Sequence, residues 1–310
     1  MSEEAGARRG LFVGLCTLDV IQLVERLPGP DEKVGARDVV VAAGGPAANA
    51  AIAFAALGGV ATLVTRVGRD ATGSLAVADL EACGVRVVDA NVDESATTTV
   101  ASILVTAGTG QRAVVSAVDR GRAADGRDGV GPATVADLAA SLLDGVDVVL
   151  VDSYETDLSE PLAQAARRAG VPVLWDSGTK KPWAPTQLRH VDCAVVSETY
   201  VPGGPAAIAA DLAGDGVRCG VVTAGAGPVT WWRDDPGALV SVPVPPVEVV
   251  DTLGAGDFFH GALAYSLAGT GLTADGLAQA VPLAAHVAGL SVQDFGSRSW
   301  LCRLRQDGRG

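Results

Sequence analysis

Asp251-Thr252-Leu253-Gly254-Ala255-Gly256-Asp257, followed by Phe258-Phe259-His260-Gly261-Ala262-Leu263, is the stretch around which the rest of the chain can be read. An extended apolar segment, Val247 to Val250, leads into a glycine-rich turn, and a helical segment leaves it. Gly254 and Gly256 let the backbone turn sharply and approach a ligand closely. Successive N–H groups at a helix N-terminus make an anion site. Asp257 falls in the first helical turn. A carboxylate beside an anion site is costly unless it has work to do, and the work that suits it is taking a proton from a hydroxyl that attacks a phosphoryl group. An ordinary helix-capping aspartate fits the same position, so these residues alone leave both readings open.

A second signal is Gly44-Gly45-Pro46-Ala47-Ala48-Asn49, again a glycine turn running into a helix. Asn49, one turn in, has both donors and an acceptor for a polyol. The surrounding stretch from Val39 to Thr65 carries no charge, and it exceeds the ~20 residues that span a bilayer. Gly44, Gly45 and Pro46 break it, so the expectation is strand, turn, buried helix. The P-loop pattern G-x-x-x-x-G-K-[ST] is absent, as is the dinucleotide pattern G-x-G-x-x-G.

Outward from these motifs, apolar runs and helix-period segments alternate. Strand-like runs are Leu11 to Leu15, Ala61 to Val67, Val85 to Val88, Val146 to Val151, Val171 to Trp175, Val191 to Val196 and Val217 to Thr223; helical ones include Ala47 to Leu57, Thr72 to Cys83 and Leu158 to Ala169. That rhythm predicts an α/β fold, an open and mostly parallel sheet with helices on both faces. Val20 to Val41 and Thr97 to Val118 break it and read as strands of a small second sheet, which beside a cleft can act as a lid. Gly121 to Gly131 reads as a solvated linker, Arg303 to Gly310 as a frayed end, and Trp231-Trp232 as a strand near the surface.

The chain has 310 residues, 48% hydrophobic and 19% charged, enough for a substantial core without staples. Its formal net charge of -13 argues against nucleic acid and anionic membrane as partners. Five cysteines without a C-x-x-C pair suit reduced thiols in the cytoplasm, and Met1 to Gly10 lacks the apolar core of a signal peptide. His190, His260 and His286 sit in no metal-ligand pattern. His260, three residues after Asp257, is read as a helix-wall histidine, with a second proton acceptor as the alternative. Asp176 and Lys180, at the carboxyl end of a strand, are open candidates for the site.

D-T-x-G-A-G-D at Asp251 to Asp257 together with G-G-x-x-x-N at Gly44 to Asn49 resembles the PfkB, or ribokinase-like, family of carbohydrate kinases. The similarity runs from about Leu11 to about Trp300. Leu18-Asp19, Val67-Gly68-Arg69-Asp70-Ala71-Thr72-Gly73 and Val222-Thr223-Ala224-Gly225-Ala226-Gly227 match further family elements. The resemblance implies a single ribokinase-like domain over 1–310, with lid segments at about 19–44 and 97–120. It implies Asp257 as general base, and the N–H groups of Gly254, Ala255 and Gly256 as the hole for the transferring phosphoryl charge. Asp19, Gly44, Gly45 and Asn49 would bind the sugar, and Ser197, Thr223, Gly225 and Gly227 would line the ATP site. Asp251 and the Leu253 carbonyl are candidate ligands for a monovalent cation such as K⁺. The family's lid often pairs with a partner's, so a homodimer and a monomer both stay open.

One element departs from the pattern. The family's N-x-x-E, which organises Mg²⁺, reads Ser197-Glu198-Thr199-Tyr200, leaving Glu198 to act on Mg²⁺ through water. The branch is divided. Leu18-Asp19-Val20-Ile21 looks like ketohexokinases, whereas Gly44-Gly45-Pro46-Ala47-Ala48 and Asp257-Phe258-Phe259-His260-Gly261 look like bacterial sulfofructose kinases. A sulfonate wants a cation, and Arg112, Arg120, Arg122, Lys180 and Lys181 are the candidates. The alternatives are a nucleoside kinase, which needs aromatic stacking partners where only Phe12, Phe54 and a few others stand, and a non-catalytic sugar- or nucleotide-binding regulator.

Overall fold

Strands covered on both faces read as unbroken apolar runs, and Leu11-Phe12-Val13, Val148 to Val151 and Ala194 to Val196 are all buried. The structure, a computed structural model, describes residues 6–91, 96–117 and 132–308. Arg120, Arg122, the end of the expected lid segment at 118–120 and the Gly121 to Gly131 linker lie outside the described residues.

In chain order the elements are β1 (Arg9–Val13), β2 (Thr17–Val24), β3 (Asp38–Gly44), α1 (Pro46–Ala56), β4 (Val60–Thr65), α2 (Ala71–Ala82), β5 (Val85–Asp89), β6 (Thr99–Thr106) and β7 (Arg112–Ser116). There follow α3 (Pro132–Leu142), β8 (Val148–Asp152), α4 (Thr156–Arg168), β9 (Val173–Ser177), α5 (Ala184–Leu188), β10 (Cys193–Ser197), α6 (Gly204–Gly214) and β11 (Cys219–Thr223). The chain ends with β12 (Val229–Arg233), β13 (Val240–Val242), α7 (Ala255–Thr270), α8 (Ala274–Ser291) and α9 (Trp300–Gln306).

The main sheet runs β13-β12-β11-β10-β9-β8-β1-β4-β5. It is parallel from β11 to β5 and antiparallel at β11–β12 and β12–β13. The reversal follows from chain length, because the short turn after Thr223 has no room for a crossover helix. Alternate strand residues feed two cores. Phe12, Leu150 and Trp231 pack with α1, α7, α8 and α9, while Leu11, Val149 and Trp232 pack with α4, α5 and α6. Trp231 and Trp232 therefore correct the expectation of a surface strand. The strand is there, but helices cover both of its faces and both indoles are buried.

The second sheet runs β3-β2-β6-β7. Residues directly opposite across a ladder share a face. One face thus carries Asp19 with Ala101, Ile21 with Ile103 and Val114, and Leu23 with Val105 and Arg112. Ile21, Ala101, Ile103 and Val105 form a small core there with Leu253 and Phe295, so this face looks onto the main body.

β1 has β4 on one side and β8 on the other, so the strand order reverses there, and ligands of such sheets bind beyond the carboxyl ends at that point. Asp152, fully buried at the end of β8, fastens the region: its oxygens accept from the N–H groups of Leu15 (2.8 Å), Ala47 (3.3 Å) and Tyr154 (2.8 Å).

Two helices must approach closely for the site to form. Gly261 in α7 rests on α1, and a Cβ there would lie 2.1 Å from the Ala50 carbonyl oxygen. A mid-helix glycine costs about 0.5–1 kcal/mol against alanine, and this contact is what that cost obtains. Gly261→Ala is expected to lower the unfolding free energy by about 1–3 kcal/mol, the scale of overpacking, in a urea titration, although alanine is the better helix former.

Candidate active site

α7 begins at Gly254, whose φ of 72° turns the chain into the helix without a side-chain cap. The N–H groups of Gly254 and Gly256 carry no hydrogen bond within the protein among the described residues, whereas that of Ala255 lies 3.4 Å from the Thr252 carbonyl. The loop before them is pinned at two points. The buried carboxylate of Asp251 accepts from the N–H groups of Leu253 (2.9 Å) and Gly296 (3.0 Å). The Thr252 hydroxyl donates to the Gly110 carbonyl (3.1 Å) and accepts from Arg112 of β7 (2.9 Å), tying the loop to the second sheet.

Asp257 follows in the first turn of α7. The amide nitrogen of Asn49 donates to its Oδ2 at 2.8 Å, while the buried Oδ1 of Asn49 has no partner. Burial pushes the pKa of Asp257 up to about 7 and the charge of Asp176 adds to this; Asn49, His260 and Arg112 pull it back. A carboxyl so poised exchanges a proton near neutrality.

Asp19 lies on β2, on the face turned to the main body, and accepts from the Thr17 hydroxyl at 2.6 Å. Burial raises its pKa, against the pull of Thr17 and Arg298. It sits directly over Gly44, where a Cβ would fall 2.0 Å from its Oδ2. Gly45, at φ 100°, is the N-cap residue of α1. Asp19, Gly44, Gly45 and Asn49 thus fall on the consecutive elements β2, β3 and α1, and Asp257 joins them from the distant α7 through the α1–α7 contact.

The remaining expected residues stand at the carboxyl ends of β10 and β11. The Glu198 N–H donates to the Thr223 carbonyl at 2.8 Å, and Ser197 and Thr199 share a hydroxyl contact of 3.1 Å. Glu198 and Gly225 are exposed and Gly227 half-buried, so this edge presents open backbone. Tyr200 is buried edge-on against Trp175 and is no metal ligand. Lys180, a candidate from its place after β9, is taken by Asp211 (2.6 Å) of α6 and by Asp215 (3.2 Å), the residue that caps that helix. Lys181 stands over the Tyr154 ring.

Sequence reasoning left one pairing unseen. His260 is buried, with its Nδ1 2.8 Å from Oδ2 of Asp176, close but off the hydrogen-bonding direction. Burial works against the imidazolium, yet the charges of Asp176 and Asp257 hold its pKa above the usual range. The hints in the sequence were the helical spacing of 257 and 260 and the place of Asp176 at the carboxyl end of a strand, with nothing to join the two. A hollow of about 450 Å³ among Arg167, Arg218 and Arg233 lies at the amino ends of β9 to β11, the wrong end of the sheet for this chemistry.

The profile of the pfkB family carbohydrate kinases matches residues 8–301. The chain belongs to this family. As an ATP-dependent carbohydrate kinase it is similar to mouse ribokinase, 28% identical over 278 residues that cover 86% of this chain and 84% of that one. It is 34% identical over 173 residues to the ATP-dependent ribose-1-phosphate kinase of Halopiger xanaduensis, 56% of this chain and 55% of the other. The structure of Arabidopsis thaliana ribokinase complexed with ribose and ATP superposes with a TM-score of 0.73 at 24% identity, covering 96% of this kinase and 98% of that chain. The ribokinase-like α/β fold expected from the sequence is the fold observed. No helix among the described residues is long and apolar enough to cross a membrane.

Proposed function

We propose that this carbohydrate kinase phosphorylates a primary hydroxyl of a ribose-like pentose, with Asp257 as the base. The observation that carries the reading is the pairing of Asp257 with Asn49 beside free N–H groups at the start of α7. The hydroxyl gives its proton to Asp257, its oxygen bonds to the γ-phosphorus, and ADP leaves; the N–H groups of Gly254 and Gly256 meet the charge on the transferring group. Asp19 and Asn49 hold the other hydroxyls against the Gly44-Gly45 backbone. ATP lies along Ser197, Thr223, Gly225 and Gly227. Glu198 and Ser197 offer the oxygen donors Mg²⁺ takes, and the ion would neutralise phosphate charge. The Asp251 carboxylate and the Leu253 carbonyl are the corresponding set for K⁺. The likeness to mouse ribokinase supports the pentose. Comparing kcat/KM for ribose, fructose and adenosine tests it: ribose is expected to lead, and a preference for fructose or adenosine would replace the pentose with a ketohexose or nucleoside.

A second reading is a sugar that already carries an anion, a phosphate or the sulfonate of a sulfosugar. Arg112 favours it: on the body-facing side of β7, it reaches Thr252 and is near enough to lower the pKa of Asp257. Under this reading Arg112→Ala raises KM for the anionic sugar by about 10- to 100-fold more than for the neutral one, the worth of a charge-assisted hydrogen bond. Equal effects on both sugars would remove the anion from the site.

The outer face of the second sheet exposes Val39, Val41, Val100 and Val115, which supports pairing with a second copy through the lid. Sedimentation of the wild type against Val41→Lys reads that directly, with a shift from dimer to monomer expected. Consumption of ATP and five thiols fit a cytoplasmic setting.

A further inference from the structure

Two carboxylates stand close together where the reaction needs one of them ionised. One oxygen each of Asp176 and Asp257 and one ring nitrogen of His260 lie within 4.8 Å of one another. Asp176 and His260 are 5% exposed each, and both are left without an aligned hydrogen bond at their facing atoms. In so sheltered a place a second negative charge drives a proton onto its neighbour. Unopposed, Asp176 would keep Asp257 protonated and unable to act as a base.

We propose that His260 and Asp176 form a buried imidazolium–carboxylate pair that acts as a positioning device for Asp257, offsetting the charge of Asp176 so that the base stays ionised before transfer. The proposal rests on the reading of Asp257 as the base. Its charge count is simple. With His260 protonated, the three groups carry one net negative charge before the sugar hydroxyl gives up its proton, and none after Asp257 has received it. The proton stays on Asp257, and His260 neither gains nor loses one in the step.

The groups facing this cluster come from five elements. Asp176 belongs to β9, and Asp257 to the same helix as His260. Asn49 of α1 donates to Asp257, Arg112 of β7 acts on it by charge, and Asp152 of β8 is charge-coupled to Asp176. Arg112 is exposed and engaged with Thr252, so its charge is screened by water, whereas that of His260 is not.

The test is the pH profile of kcat/KM for the intact kinase and two near-isosteric variants. In His260→Gln the charge of Asp176 is uncompensated, so the acidic limb should move up by about one pH unit or more, a loss of about tenfold at pH 7 that is recovered near pH 9. In Asp176→Asn the repelling charge is gone and the limb should move down. A merely structural role predicts loss without such opposite displacements, and limbs that stay put or move together would overturn the proposal. Should either variant not fold, ¹⁵N NMR of the wild type decides: with His190 and His286 replaced to assign the remaining signal, His260 should be an imidazolium at pH 7.5, and a neutral ring there would overturn it. Asp257→Asn separates the two levels. If that variant keeps its turnover, the base reading itself falls; if it is inactive while the limbs do not move, only this inference falls.

Discussion

Asp257→Asn is expected to lower kcat on the sugar by about 10²-fold or more, the scale of losing a general base, with KM for ATP little changed. The substitution keeps size and shape, and Asn49 still has an oxygen to donate to. What disappears is the acceptor for the hydroxyl proton at the moment the oxygen attacks. The wild type should also show a matching pH dependence. Because the pKa of Asp257 is pushed up to about 7, the ionised base is depleted below that pH. kcat/KM should then fall about tenfold per unit on the acid side. In Asp257→Asn that limb should vanish along with the rate. A variant with near-normal turnover and an unchanged profile would show that Asp257 is only the capping residue its position also allows.

The second large effect is expected at the sugar side. Asp19→Asn should raise KM for the sugar by about 10- to 100-fold, since hydrogen bonds to a charged group are worth about 1.5–3 kcal/mol. Gly44→Ala should do the same without touching a polar atom. The methyl group would enter space held by the Asp19 carboxylate, 2.0 Å away, and the carboxylate must swing off. Gly44 is not in the left-handed region, so alanine brings no backbone strain and the effect isolates the displacement. Both variants leave the β10–β11 edge intact, so KM for ATP should hold. A parallel rise in both KM values would mean general damage rather than a sugar site.

Much of this was legible because the informative residues act locally. Gly44-Gly45 and Gly254-Ala255-Gly256 mark turns into helices whatever surrounds them, and the charge-free strands announce burial on both faces. The β–α alternation sufficed for a parallel sheet. Where meaning depends on a distant partner, the sequence was silent. Lys180 looked available beside a strand end, but Asp211 of α6 and Asp215, which caps that helix, claim it. Trp231 and Trp232 looked like part of a strand near the surface, yet helices from both cores close over them. His260 looked like a wall residue because its partner, Asp176, comes from β9. Gly261 stood in the quoted motif with no role of its own, because the Ala50 carbonyl it rests on comes from α1.

Asp257 is proposed as the base that takes the proton of the sugar hydroxyl as its oxygen bonds to the γ-phosphorus. The most direct measurement is ADP release from Mg-ATP by the purified kinase, with ribose, ribose phosphates, fructose, 6-sulfofructose and adenosine as acceptors, run alongside Asp257→Asn. Sugar-dependent ADP release, strongest with ribose and lost in the variant, is the expected result. ATP binding with no release on any sugar, or release that survives in Asp257→Asn, would contradict it.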